Sequence, residues 1–163
     1  MTKLLLFIFS MVLTLAEASS HREGVKLKYE VGHELPGEKL TLLFPQKANT
    51  SNSDGTITYR TYLDESEFAL NVVLLDAPTS AACYFNELHD FYNRGYKELQ
   101  SFTLAAMNGY PSVEFKAYDF TTRKKTRGIA IVTNNARYLA TYTYDHDPNE
   151  LGDAFVSSVK VKN

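Results

Sequence analysis

Residues 100–144 read QSFTLAAMNGYPSVEFKAYDFTTRKKTRGIAIVTNNARYLATYTY. Within this run, 100–107, 112–120, 127–133 and 137–144 are rich in β-branched and aromatic residues and read as four consecutive strands. The first two are joined through Asn108-Gly109 and the last two through Asn134-Asn135, residues that tolerate positive φ. The middle pair is joined by a basic segment, Arg123, Lys124, Lys125 and Arg127, which reads as a hairpin tip kept wet by its charge.

Upstream, Leu40-Thr41-Leu42-Leu43-Phe44 reads as a strand stopped by Pro45, and a polar stretch, 46–55, reads as the loop after it. Segments 56–63 and 68–75 form an expected hairpin across Asp64-Glu65-Ser66, with Phe68, Leu70, Val72 and Leu74 on one face. After Pro78 the period changes. Ala81, Tyr84, Phe85, Leu88, Phe91 and Tyr92 fall at helical spacing, which predicts a helix over 80–94 with Thr79 or Ser80 as cap and Gly95 as stop. Its polar face carries Cys83, Glu87, Asp90 and Arg94. A second helix is predicted over 148–158. Asp147 is its cap, Pro148 its first residue and Glu150 the partner in a capping box, while Leu151, Phe155 and Val159 form an apolar side. The order β-β-β-α-β-β-β-β-α places the chain in the α+β class, an antiparallel sheet with helices packed on it.

The first eighteen residues have another character. Lys3 is followed by an apolar run from Leu4 to Leu15, then by Ala16-Glu17-Ala18. A basic start, an apolar stretch and a small-x-small end are the parts of a secretory signal peptide, with cleavage expected after Ala18. The run is shorter than the roughly 20 apolar residues a membrane-spanning helix needs. The expected product is exported, periplasmic or secreted, with no membrane span after cleavage. Residues 19–38, with Gly24, Gly32, Pro36 and Gly37, read as a loose N-terminal arm holding at most a short strand near 25–31. Residues 39–163 then form a single domain.

Charge narrows the partners. Removing residues 1–18 takes away Lys3 and Glu17, so 17 basic and 19 acidic residues become 16 and 18, and the net charge stays at −2. That balance gives no electrostatic case for nucleic acid or an anionic membrane. Cys83 is the only cysteine, which excludes an intramolecular disulfide and leaves an intermolecular one, hence a homodimer, open.

Several short phrases then carry a resemblance: Leu42-Leu43-Phe44-Pro45, the run from Ala69 to Pro78, Gly109-Tyr110-Pro111 with Val113-Glu114-Phe115, the run from Ile129 to Tyr138, and Phe155-Val156-Ser157-Ser158-Val159. Together with the element order they resemble the PsbP-like family, over most of 39–161. That family is found among photosystem accessory proteins and among exported bacterial proteins of unknown role. Where the family pattern often closes with Ser-Phe, this chain has Ser158-Val159. The resemblance implies an α/β/α sandwich, an exported location, and a bias toward non-catalytic binding or assembly roles. Fold alone does not fix function.

Catalytic and metal motifs fail one by one. His33-Glu34 opens like a zinc-protease helix but meets Pro36 and Gly37. Asp145, Asp147 and Asn149 follow the opening alternation of a calcium loop, yet its sixth position is Glu150 and its twelfth Val156. A looser divalent-ion site at Asp145, His146 and Asp147 is what remains of that reading. There is no Gly-x-Ser-x-Gly, dinucleotide fingerprint or P-loop, so no cofactor is implied, and a hidden hydrolase would need His89 or His146 beside a nucleophile. The remaining signal is aromatic, 11 Tyr and 10 Phe without Trp. Tyr84 and Tyr92 of the first helix, with Tyr138, Tyr142 and Tyr144 on one face of a strand, are the candidate groove or partner surface. A protein partner is the leading expectation; a small-molecule or metal-ion carrier using an aromatic cleft is the second.

Overall fold

Alternation of side chains along the strands sets the layers. In the computed structural model, which describes residues 26–145 and 149–162, ten strands and two helices follow in order. They are β1 (Tyr29–Leu35), β2 (Glu38–Phe44), β3 (Asn49–Ser53), β4 (Thr56–Leu63), β5 (Ser66–Leu74), α1 (Ala81–Tyr92), β6 (Lys97–Met107), β7 (Tyr110–Asp119), β8 (Lys125–Val132), β9 (Ala136–Tyr144), α2 (Asn149–Ser157) and β10 (Lys160–Lys162). Seven strands form one antiparallel sheet in the order β3-β4-β5-β9-β8-β7-β6, and β1-β2-β10 form a smaller one.

Every second residue of β9, from Ala136 to Tyr144, is buried on one face of the large sheet. There it meets Phe68, Leu70 and Val72 of β5, Phe155 and Val156 of α2, and Leu40, Leu42 and Phe44 of β2. The opposite face carries Val113, Ala130 and Val132, covered by Phe85 and Leu88 of α1. The result is three layers: α1, the seven-stranded sheet, and a second outer layer shared by α2 and the small sheet.

Turn chemistry fixes the hairpins. Asp54-Gly55 and Asn108-Gly109 both have positive φ at the two central positions (51° and 74°, 50° and 86°), the two-residue geometry that matches strand twist. The β8–β9 connection is built differently from the expected positive-φ pair. Thr133 Oγ1 accepts hydrogen bonds from the N–H groups of Asn135 (3.3 Å) and Ala136 (3.0 Å), so a side chain closes the turn and neither Asn needs a left-handed backbone. Arg127 lies inside β8 rather than at a tip, paired with Asp153 of α2 and 3.9 Å from Glu114.

The expected loose arm is corrected over its described part. Residues 29–35 form β1, hydrogen-bonded to β2 in register from Tyr29↔Phe44 to Leu35↔Glu38. Pro36 and Gly37, read as breakers, are the hairpin turn, Gly37 at φ 80°. The ordered domain therefore begins well before Lys39. The polar stretch after Pro45 contains an edge strand, β3, exposed at all five residues; pairing with β4 supplies its hydrogen bonds whatever its composition. β10 was not expected, and it adds Val161 to the core beneath β2. The signal segment and the Asp147-Pro148 helix start lie outside the described residues. Among the described residues no helix is long and apolar enough to cross a membrane.

Candidate functional site

The five tyrosines do not make one surface. Tyr138, Tyr142 and Tyr144 share a face of β9, as the spacing predicts, but that face is the core: their relative exposures are 1, 1 and 5%. Tyr84 and Tyr92 project from α1 onto the opposite face. The seven-stranded sheet stands between the two groups, so the expected tyrosine groove is corrected to two separate packing layers. Burial pushes the Tyr84 phenol up to about 12, opposed by the Arg137 guanidinium 4.8 Å over its ring. Burial also raises Tyr92 well above the usual phenol range.

Of the ion-site residues, Asp145 is paired with Lys124 Nζ at 3.6 Å, which places a cation of the protein where a metal was expected. His146 and Asp147 lie outside the described residues, and among the described residues no cluster of three acidic, His or Cys side chains has metal-holding geometry. His89 meets its neighbour Asp90 (3.6 Å) and the edge of Phe102. The Cys83 thiol is exposed on α1 and reaches Glu87 Oε1 at 3.8 Å.

What the fold does assemble is an aromatic and basic end of the large sheet. Gly128 of β8 lies opposite Phe115 of β7, and a Cβ there would stand 2.5 Å from the Phe115 ring. The missing side chain lets that ring lie across the strand, and Tyr92 packs on it at 4.5 Å. Phe85 and Leu88, at helical spacing with Tyr92, face the sheet, so the adjacent Phe91 is turned outward and is 55% exposed. Tyr96 (76%) and Phe120 (56%) are also exposed at this end of the sheet, where the Phe120 N–H donates to the Tyr96 carbonyl at 2.8 Å and the Phe120 ring meets Tyr118 at 4.9 Å.

Lys97 Nζ stands 3.8 Å over the Phe91 ring and 5.8 Å from that of Tyr92, within cation–π range. Asp119 closes the β7–β8 turn by accepting from the N–H groups of Thr121 (2.8 Å) and Thr122 (3.0 Å). The Thr122 hydrogen bond, ahead of other causes, holds its carboxyl below the ordinary value. Between these groups, α1 and the sheet leave a cavity of about 170 Å³, bordered by Phe91, Tyr92, Lys97, Asp119, Lys124 and Thr143. Sequence reasoning missed Phe91, Lys97 and Asp119 as a group. One signal was available: Phe91 and Tyr92 are about 100° apart on a helix, so both cannot face one core.

A buried polar cluster lies on the other face. Glu38, 4% exposed, accepts hydrogen bonds from Tyr138 (2.7 Å), Thr133 (2.8 Å) and Asn135 (3.4 Å). Beside it His33 Nδ1 is 3.1 Å from the Tyr59 hydroxyl, with the ring edge-on to Tyr59 and Tyr138. Desolvation lowers the His33 pKa from 6.5, and Glu38 opposes the shift. A depressed folded-state pKa means that the unfolded chain takes up the proton first. Stability present above pH 6.5 is therefore expected to fall as pH drops through 6.5 toward the lower folded value. Thermal melts of wild type and His33→Asn between pH 8 and 5 check this: the wild type should lose more stability on acidification, and parallel losses would remove His33 from the account.

No protein-family profile and no curated protein sequence matches the chain. Solved structures do. The solution structure of cyanobacterial PsbP (CyanoP) from Synechocystis sp. PCC 6803 superposes with a TM-score of 0.60 at 12% identity, covering 88% of this chain and 98% of that one. A Bacteroides thetaiotaomicron VPI-5482 protein overlaps more loosely, with a TM-score of 0.47 at 11% identity over 76% of this chain and 44% of its own. A protein of unknown function from Pseudomonas aeruginosa gives 0.40 at 13%, over 76% and 87%. The overlap with the cyanobacterial protein, over most of both chains, gives this chain a PsbP-like fold.

Proposed function

We propose that this chain is an exported, non-catalytic protein that binds a protein partner, in the periplasm or outside the cell, through the aromatic and basic end of its large sheet. The observation that carries the reading is the exposure of Phe91 with Lys97 3.8 Å over its ring, together with the exposed cross-strand pair Tyr96 and Phe120 at the same end of β6 and β7. Exposed apolar residues scattered singly need no explanation, but aromatic side chains gathered with a cation have the composition of an interface centre. Export rests on the Lys3, Leu4–Leu15 and Ala16-Glu17-Ala18 pattern. A second reading, a small-molecule carrier, draws on the cavity between α1 and the sheet; it predicts a co-purifying ligand or a rise in melting temperature with one.

A photocrosslinking residue at position 96, in the exported protein in its own host, tests the first reading. A discrete adduct is expected from 96 and none from Asn52, on the far edge strand β3. The triple variant Phe91→Ala, Tyr96→Ala, Phe120→Ala should weaken capture by about tenfold or more. Its effect on stability should stay within roughly 1.5 kcal/mol, since surface substitutions each cost about 0.5 kcal/mol or less. Equal adducts at 52 and 96 would remove the patch as the binding site.

A further inference from the structure

The large sheet ends in two edges that are guarded differently. At one end β3 is short, five residues of Asn, Thr and Ser. At the other, β6 runs for eleven residues, none of them buried. Exposed edges offer unpaired N–H and C=O groups, and natural proteins blunt them with charge, proline or shortness. β6 has Lys97 and Glu98 at its start and no charge from Leu99 to Met107. Its pairing with β7 shifts register between Leu99 and Ser101, after which Ser101–Met107 is a regular, uncharged, seven-residue edge. Leu104, at its centre, is 69% exposed, the most exposed aliphatic side chain among the described large hydrophobic residues.

We propose that Ser101–Met107 of β6 pairs antiparallel with the same segment of a second copy of this chain, about a two-fold axis at Leu104. The segment is complementary to itself in charge and in size. Reversed about Leu104, Phe102 stands opposite Ala106, Thr103 opposite Ala105 and Ser101 opposite Met107, so large residues meet small ones and no like charges meet. Leu104 is directly paired with Val113 and Phe102 with Phe115, so Phe102, Leu104 and Ala106 lie on the α1 face of the sheet. Pairing brings the two Leu104 side chains together there and covers the exposed apolar surface that each chain presents alone. Two seven-stranded sheets then become one continuous sheet, and the outward backbone groups of the segment gain partners.

The contact is independent of the partner site proposed above, whose Phe91, Tyr96 and Phe120 lie outside the paired segment. It also leaves Cys83, on α1, unused. The other edges fit less well: β1 carries Glu30, His33 and Glu34, and β10 is three residues long.

Position-specific crosslinking tests the proposal in the mature chain with Cys83→Ser. Directly opposed residues of an antiparallel pair have Cα atoms about 4.5–5.5 Å apart, inside the range of about 4.4–6.8 Å that a disulfide spans. Leu104→Cys should therefore form a covalent dimer under mild oxidation. Ser101→Cys should not, because its own copy would lie about 20 Å away along the strands. In sedimentation, Leu104→Lys should weaken the dimer by about tenfold or more with an unchanged melting profile at low concentration. Wild type that stays monomeric at about 1 mM, or disulfides formed equally at 101 and 104, would overturn the proposal.

Discussion

Phe155→Ala should lower unfolding stability by about 3–5 kcal/mol, a large part of the roughly 5–15 kcal/mol that holds a domain of this kind folded. The ring is fully buried where α2, the small sheet and the large sheet meet. It meets Phe44 of β2 edge-on at 5.4 Å and Phe68 of β5 at 5.3 Å, so one truncation loosens α2, the small sheet and the large sheet together. Gly152, one turn earlier on α2, lets the helix approach the sheet this closely, since a Cβ there would stand 2.5 Å from the Tyr142 ring. With the helix backbone pinned against Tyr142, the hole left by a missing phenyl cannot collapse easily, which puts the cost toward the upper end of the range. Phe155→Leu, which keeps most of the volume, should cost under about 1.5 kcal/mol. Urea unfolding of both variants checks the pair. If the alanine variant loses less than about 1 kcal/mol, Phe155 is not the keystone of that layer.

Much of the framework was legible because one-sided burial leaves a periodic trace. β4 occupies the expected 56–63, and β6 to β9 start one to three residues before their predicted positions. Phe68, Leu70 and Val72 share a buried face, although Leu74, at the strand's end, is 48% exposed. Ser80 does cap α1, its hydroxyl accepting from Cys83 N–H at 3.5 Å. β3 was illegible for a physical reason: an edge strand solvated on both faces needs no apolar residues, only a partner's backbone. Sheet order was not legible either. β9 inserts between β5 and β8, pairing Phe68 with Tyr142 and Val72 with Tyr138, a choice made by tertiary packing rather than by either segment. The candidate site shares that difficulty. Phe91, Lys97, Asp119 and Lys124 come from α1, β6, β7 and the β7–β8 turn, and no local spacing links them. Sequence did place Tyr138, Tyr142 and Tyr144 on one face. It could not say that the face would be covered by α2 and the small sheet, because that depends on β1, β2 and β10 assembling beneath it.

Glu38→Ala should cost about 3 kcal/mol, although the residue touches neither the aromatic end nor the β6 edge. The carboxylate ties β2 to the far end of the large sheet: one oxygen accepts from both Tyr138 and Thr133, the other from Asn135. Hydrogen bonds to a charged group contribute about 1.5–3 kcal/mol each in mutational series, and a buried donor stripped of its acceptor keeps its full desolvation cost. Thr133 retains the Ala136 carbonyl as a second acceptor at 3.1 Å. Tyr138, 1% exposed, is therefore the group left most exposed to that cost. The same hydrogen bond, after burial, is what holds its phenol above the usual range. Glu38→Gln keeps an oxygen that can accept from both hydroxyls but presents an amide N–H₂ to Asn135, so about 1 kcal/mol is expected. The double variant Glu38→Ala, Tyr138→Phe removes donor and acceptor together. Its cost should be at least about 1 kcal/mol less than the sum of the two single changes. Hydrogen exchange adds a spatial readout: amides of the β1–β2 hairpin should lose protection before those of β8 and β9. Additive single and double variants would mean that the Glu38–Tyr138 hydrogen bond does not couple the two sheets.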